Sequence, residues 1–522
     1  MKKSSNNLQG FLKKNFVWIL FAGILILAAF FRFYQLSSLP PGLHPDEAAN
    51  GLDIFRILEN RDWRIIYNTN GPREALFFYL QAVFVATLGN TILALRMAPA
   101  LFGVISVAVI FFATKEWFSR RTALVTAFFF AISPWVVIIQ RDGFRASLVP
   151  LFVGLVMWFG AKAYKTNKLV YYILAGVALG LGFYTYTAFA MIMVAVFAGL
   201  MYMLLVRRKW LKDNWKKVLI SAGVFALVLT PLVVATAKDP SGSAARAGGT
   251  SFLNKDLNKG QPVQTFLSGT AKTILQYNYF GDENSRHNVP GQPLLNTFAG
   301  LMLVLGLVIC LYHIKRPRYA ILLIVLGSML LPVVLTAEGL PHGLRSIGTA
   351  VPIFMLVGLG TNYMLYIWYR TFPVNKLARV SGLAIICILM GLSLIQAYRA
   401  YFVAWAQDNK TYEAYSETAV AIAKYLNSNN SNNRTNFVVM GGYEANPTQY
   451  LTHNKSTYKL LDESGLRDLP ISGGPKLIII PAGANHDQLV ELAKIKFPDG
   501  TLTNITSDFS GRLLFSVYEV KQ

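Results

Sequence analysis

FVWILFAGILILAAFFRF, residues 16–33, decides the fold. The run is apolar almost throughout and long enough to cross the bilayer hydrocarbon as a helix. Lys2, Lys3, Lys13 and Lys14 precede it. No small-residue cleavage site follows, so it reads as a retained anchor rather than a cleaved signal. Runs of this kind recur along the chain. Of 522 residues, 54% are hydrophobic and only 14% charged, too apolar for a soluble globular protein of this size. The expectation is a polytopic α-helical membrane protein. Cys310 and Cys387 both lie inside apolar runs and suggest neither a disulfide framework nor a metal site.

The net charge of +23 raises a nucleic-acid partner, but its distribution argues against one. Lys and Arg cluster at residues 2–14, 115–121, 162–168, 207–217, 313–318 and 370–379, with only Glu116 and Asp213 as acids among them. These clusters fall at every second inter-helix position, the positive-inside pattern of membrane topology. The N-terminus is therefore expected in the cytoplasm and the protein in the cell membrane.

From that anchor the spans follow at about 16–35, 93–114, 122–139, 147–164, 170–186, 188–206, 217–236, 295–313, 319–336, 349–369 and 380–400, about eleven in all. Residues 74–88 are also apolar. Counting them as a span would invert every later basic loop, and the run is short, so it reads as an interfacial or re-entrant helix. The outer loops are then 37–92, 237–294 and 336–348. Residues 1–400 form the membrane domain.

Beyond residue 401 apolar runs shorten and Asn, Ser and Asp rise. A helix is predicted over 411–426 and a polar linker over 427–433. Strands are predicted over 436–440, 476–480 and 513–520, with a helix over 486–496 between the last two. Residues 401–522 thus read as a small extracytoplasmic α/β domain.

The first outer loop begins with His44-Pro45-Asp46-Glu47-Ala48-Ala49-Asn50. Proline at the first helical position and acids in the first turn suit a helix start. Two adjacent carboxylates at the lip of a bilayer also suit acid–base chemistry, and the two readings are compatible. The same face gathers Arg73 and Glu74, then Gln140 to Arg145, then Asp282, His287 and Asn288, and finally Glu338, His342 and Arg345. Charged groups beside a bilayer are costly and usually functional.

Such a set supports transfer of a group from a lipid phosphate. A carboxylate, Asp46 with Glu47 beside it, can take the proton of an acceptor hydroxyl. Arginines can neutralise a leaving phosphate, and Arg73, Arg141, Arg145 and Arg345 are the candidates. Lipid headgroup pairing is the competing role for each. His44, Asn50, Glu74, Asp282, His287, Asn288 and His342 are the remaining substrate-binding candidates. His287 and His342 could hold a divalent metal with a carboxylate, Asp46 among the candidates, although a lone loop histidine is more often solvated. Arg96 reads as an interfacial anchor.

The ordered set His44-Pro45-Asp46-Glu47-Ala48, Arg73-Glu74-Ala75-Leu76, Ala94 to Pro99, Ser133-Pro134-Trp135 through Arg141 to Arg145, Gly281 to Asn288 with Pro290-Gly291, and Pro341-His342-Gly343-Leu344-Arg345 carries a resemblance. Over roughly 15–400 the chain resembles the GT-C class of polyprenyl-phosphate-sugar-dependent glycosyltransferases. It is most similar to bacterial members of the protein O-mannosyltransferase and aminoarabinose-transferase superfamily (glycosyltransferase family 39-like). The resemblance implies an inverting transfer on the outer face, Asp46 as general base, Arg73 on the lipid phosphate, and no nucleotide sugar. Such relatives often carry an Asp after the third span, a place Asp142 does not clearly fill. The acceptor would be a hydroxyl of a protein, lipid or glycan. The alternatives are a lipid-linked sugar transporter and a non-catalytic scaffold or sensor. A transporter would favour ionisable groups at mid-membrane and internal repeats, and the sequence shows neither.

Overall fold

A computed structural model describes residues 2–238, 249–431 and 433–521, with side chains from residue 15 onward. Part of the expected large outer loop, 239–248, lies outside the described residues. Among the described residues, eight helices are long and apolar enough to cross a membrane, and a bent pair makes up to nine. The bent pair is Arg120–Ile132 with Pro134–Arg141, which meet at 60°. Pro134 lacks an N–H and its ring prevents the first helix from running straight on. Two further expected spans, Leu169–Gly182 and Thr297–Tyr312, are helical but have only 14 and 16 residues. At 1.5 Å per residue both fall short of the roughly 30 Å of hydrocarbon, so nine of the expected eleven spans pass when the bent pair counts as one span and eight when it does not. Leu76–Leu88 is a separate short apolar helix, as its length suggests.

The chain forms two compact units. The first comprises Met1–Tyr34, Arg64–Phe77 and Pro99–Trp405, and holds most of the candidate spans. The second comprises Gln35–Trp63, Phe78–Ala98 and Ala406–Gln522. Residues 35–63 and 78–98, from the expected first outer loop and the start of the next span, thus group with the C-terminal segment that begins at Ala406.

Within the second unit the C-terminal residues form a five-stranded sheet. Two short strands occur earlier in the chain, β1 (Ile66–Tyr67) and β2 (Arg73–Glu74), paired antiparallel in the first unit. The sheet is built from β3 (Thr435–Val439), β4 (Lys459–Leu461), β5 (Lys476–Pro481), β6 (Thr501–Thr506) and β7 (Leu513–Val520), in the order β4-β3-β5-β7-β6. β3 pairs parallel to β4 and β5, while β7 pairs antiparallel to β5 and β6. Leu477 and Ile479 of β5 pack on one face with Ile422 and Leu426 of helix Glu417–Ser428. Ile478 and Ile480 pack on the other with Val490 and Phe497. Burial on both faces is why β5 is apolar at successive positions rather than alternating. The predicted helix over 411–426 is two helices, Asn409–Ala414 and Glu417–Ser428, parted at Ser416 with φ 49°.

Helix Pro45–Asn60 packs against helix Asn446–Thr452 of the same unit. Gly51 makes this approach possible. A Cβ there would lie 2.3 Å from Tyr450 Cδ2. Phe55 stacks on both Tyr450 and His453, with ring centroids 5.3 and 4.0 Å away.

Candidate active site

In the second unit, His44 is the N-cap of helix Pro45–Asn60. Its Nδ1 accepts from the Asp46 N–H at 3.0 Å, and Glu47 Oε1 accepts from the His44 N–H at 3.4 Å. This reciprocal capping satisfies backbone donors that a helix start leaves orphaned. Glu47 is further occupied by Arg96, whose Nε and Nη2 each lie 3.1 Å from its carboxylate oxygens. Arg96 also donates to Pro40 O at 2.7 Å and Gly42 O at 2.8 Å. Both side chains of this pair are fully buried. Glu47 is expected from sequence as a catalytic partner. Its oxygens are instead held by the cap and a bidentate guanidinium, which makes it a residue that fixes the loop. Arg96 likewise is a buried clamp rather than an interfacial anchor. Asp46 differs from its neighbour: its side chain is 37% exposed, with Oδ2 3.6 Å from His44 Nδ1. Asn50, one turn on, is buried.

In the first unit, β1 and β2 pair Tyr67 with Arg73 and Ile66 with Glu74. Arg73, Glu74 and Arg345 line one cavity of about 500 Å³. Its walls are largely apolar and include Phe183, Met191, Leu232, Leu331 and Leu335. Glu74 forms an ion pair with Arg145, which lies just beyond the bent helix pair. Arg345 is steered by Glu338, with Nη2 2.6 Å from Oε2. Arg141, expected on the phosphate, is fully buried and donates to Phe31 O at 2.9 Å and Tyr34 O at 2.7 Å. It satisfies carbonyls at the end of the first helix, an ordinary need of helix C-termini. Its guanidinium also lies over the Tyr401 ring, 5.2 Å from the centroid. Asp142, beside it, is buried as well.

A second polar cluster in this unit comprises Asp282, His287 and His342. Asp282 Oδ1 accepts from the Asn284 N–H at 2.9 Å, closing the local turn. Its Oδ2 lies 2.8 Å from His287 Nδ1, accepts from the Gly343 N–H at 2.8 Å, and lies 3.9 Å from His342 Nδ1. The two imidazoles stack 4.7 Å apart. Burial lowers the His287 pKa, against the opposing pull of Asp282. Burial, followed by the charges of His287 and Arg345, holds His342 well below the ordinary histidine range. Neutral imidazoles beside a carboxylate are a metal-ligand set, and one ligand atom from each residue lies within 4.8 Å of the others. Within its own unit the groups placed to share a metal ion with His287 are Asp282 and His342, not Asp46. Asn288 is buried and donates to Gln292 O at 2.6 Å, so it braces the loop. Trp135 belongs to a stretch that carries the resemblance but is not among the expected site residues. Its Nε1 donates to Gly343 O at 2.9 Å, and its position directly after Ser133-Pro134 was the available signal.

Comparison with known proteins adds three findings. The chain superposes on ArnT from Cupriavidus metallidurans bound to undecaprenyl phosphate with a TM-score of 0.55 at 13% identity, covering 97% of this chain and 98% of that one. It superposes on the apo oligosaccharyltransferase of Archaeoglobus fulgidus with a TM-score of 0.57 at 13% identity, covering 97% of this chain and 74% of that one. The protein therefore has the multi-pass membrane fold of the GT-C glycosyltransferases. More narrowly, the family model for dolichyl-phosphate-mannose-protein mannosyltransferases matches residues 73–234, which include Arg73, Glu74 and the bent helix pair. No curated protein sequence matches.

Proposed function

We propose that the protein is an integral membrane glycosyltransferase that moves a sugar from a polyprenyl-phosphate donor to an acceptor hydroxyl at the outer face of the membrane. The observation that carries this is the cavity holding Arg73 and Arg345 among apolar walls. Guanidinium groups suit a phosphate, and the apolar lining suits the prenyl chain attached to it. The carriers in the related folds fit the same chemistry: ArnT is bound to undecaprenyl phosphate, and the Archaeoglobus enzyme has been seen with a dolichol-phosphate.

In this reading a carboxylate takes the acceptor O–H proton, the role that the sequence resemblance gives to Asp46. The acceptor oxygen bonds to the anomeric carbon from the face opposite the phosphate, and the carbon–phosphate-oxygen bond breaks with inversion. Polyprenyl phosphate leaves with its charge met by Arg73 and Arg345, while Arg145 holds Glu74 in place. Asp282, His287 and His342 have the composition to hold a divalent cation, which would supply further positive charge to the leaving group.

The test is incubation of membranes containing the protein with radiolabelled polyprenyl-phosphate sugars and lysate acceptors. Transfer of label into protein, lipid or glycan supports the reading and names the acceptor class. Tight donor binding with no transfer to any fraction, or movement of intact donor across the bilayer, overturns it in favour of a scaffold or a transporter.

A further inference from the structure

A second cavity in the first unit, of about 340 Å³, lies apart from the arginines. Its polar side is unlike that of the first. Ser133, Gln292, Asn296 and Gln396 line it, and no charged side chain does so among the described residues. Ser133 is buried at the break of the bent helix, and its Oγ has no hydrogen-bond partner. Gln292 and Gln396 lack side-chain partners among the described residues, whereas Asn296 spends Oδ1 on the Ala299 N–H at 2.9 Å. A buried hydroxyl without a partner is costly. Uncommitted amides gathered around it supply the donors and acceptors that a ligand hydroxyl needs. The opposite wall is apolar, with Phe129, Ile132, Leu295 and Phe354.

We propose that this cavity binds the uncharged, hydroxyl-bearing head group of a sugar-headed amphiphile. The chemistry favours a neutral head over a phosphate, because an anion placed here would meet no cation among the lining residues. Neutral hydroxyls can pair with amides and a serine, while the sugar's C–H faces and a tail lie on the aromatic and aliphatic wall. Trp135 joins the two cavities through one loop. It lines this cavity, its Nε1 donates to Gly343 O, and Gly343 stands two residues before Arg345 of the arginine cavity. In the reaction proposed above the ligand would be a glycan or glycolipid acceptor, a statement that rests on that reading; the binding site does not.

The experiment is photolabelling of the full chain in nanodiscs with an octyl glucoside bearing a diazirine on its alkyl chain, followed by peptide mapping. Label is expected on peptides containing residues 129–135, 288–297 and 396–400. Unlabelled octyl glucoside should compete at concentrations about tenfold below octanol or octyl phosphate, the advantage that one or two satisfied hydrogen bonds confer. Ala400→Trp should fill the cavity and remove this labelling. Gln292→Leu with Gln396→Leu, both at exposed positions, should weaken it should Ala400→Trp fail to fold. Equal competition by octyl phosphate or octanol, label confined to other peptides, or undiminished labelling in a folded variant overturns the site. Labelling requires no sugar transfer, so failure of the transferase reading leaves this result interpretable.

Discussion

Arg96 and Glu47 form a fully buried bidentate pair, with both nitrogen–oxygen distances at 3.1 Å. The pair ties helix Pro45–Asn60 to the Pro40–Gly42 turn through two further bonds to backbone carbonyls. Removing one partner leaves the other charged and buried. Arg96→Met should therefore cost about 3–5 kcal/mol. Glu47→Gln should cost less, since an amide oxygen still accepts from the guanidinium. Thermal unfolding of the purified protein checks both. A Glu47→Gln variant of unchanged stability with abolished transfer would return Glu47 to a chemical role.

Asp46 stands next to that pair but keeps its carboxylate partly exposed. Asp46→Asn removes the proton acceptor while preserving shape and the backbone cap made by His44. Transfer should fall by about 10²–10⁴-fold, the usual worth of general base catalysis, with the melting temperature unchanged. Wild-type transfer in this variant sinks the assignment.

The first-turn acids and Pro45 announced a helix start, and the alternation of basic loops announced a membrane protein. Nothing local distinguished Glu47 from Asp46, because the difference is made by Arg96, 49 residues away. Arg141 misled for a similar reason. Its basic side chain follows a span as a phosphate ligand would, yet its partners are carbonyls at Phe31 and Tyr34. β5 and β7 were legible as apolar runs, whereas β6 was not, since an edge strand reading Thr-Leu-Thr-Asn-Ile-Thr buries little. The grouping of residues 35–63 with the C-terminal segment depends on Gly51 admitting the Tyr450 ring. A single glycine inside a helix gives no such notice.

Arg345 is held by Glu338, and both Arg345 and Arg73 line the arginine cavity. Charge-assisted hydrogen bonds contribute about 1.5–3 kcal/mol each, so Arg73→Gln and Arg345→Gln should each weaken polyprenyl-phosphate binding by about 10–150-fold. Glu338→Gln frees Arg345 without removing it and should have a smaller effect. Arg141→Gln should lower stability and leave lipid-phosphate affinity intact. Equilibrium binding of labelled polyprenyl phosphate in nanodiscs separates the arginines, and equal loss of affinity at Arg141 contradicts the buried role described for it.

His287 and His342 give a pH dependence whose sign follows from their burial. Both folded-state pKa values are lowered, that of His342 further. As pH falls below about 6.5, the unfolded chain takes up protons on these residues while the folded protein does not. Stability should therefore be fully present above that pH and decline as acid is added, until the lowered folded values are reached. With a chelator present, His342→Gln should flatten the decline measured by thermal melts between pH 7 and pH 5, and His287→Gln should do so less. Added Zn²⁺ or Mn²⁺ should raise the melting temperature of the wild type near neutral pH, where both imidazoles are neutral, and should do so less in either histidine variant or in Asp282→Asn. A metal-independent melt in all four proteins, together with transfer insensitive to chelator, would reduce the cluster to its hydrogen bonds: Asp282 would then serve to hold the Gly343 backbone and, through it, the loop that presents Arg345.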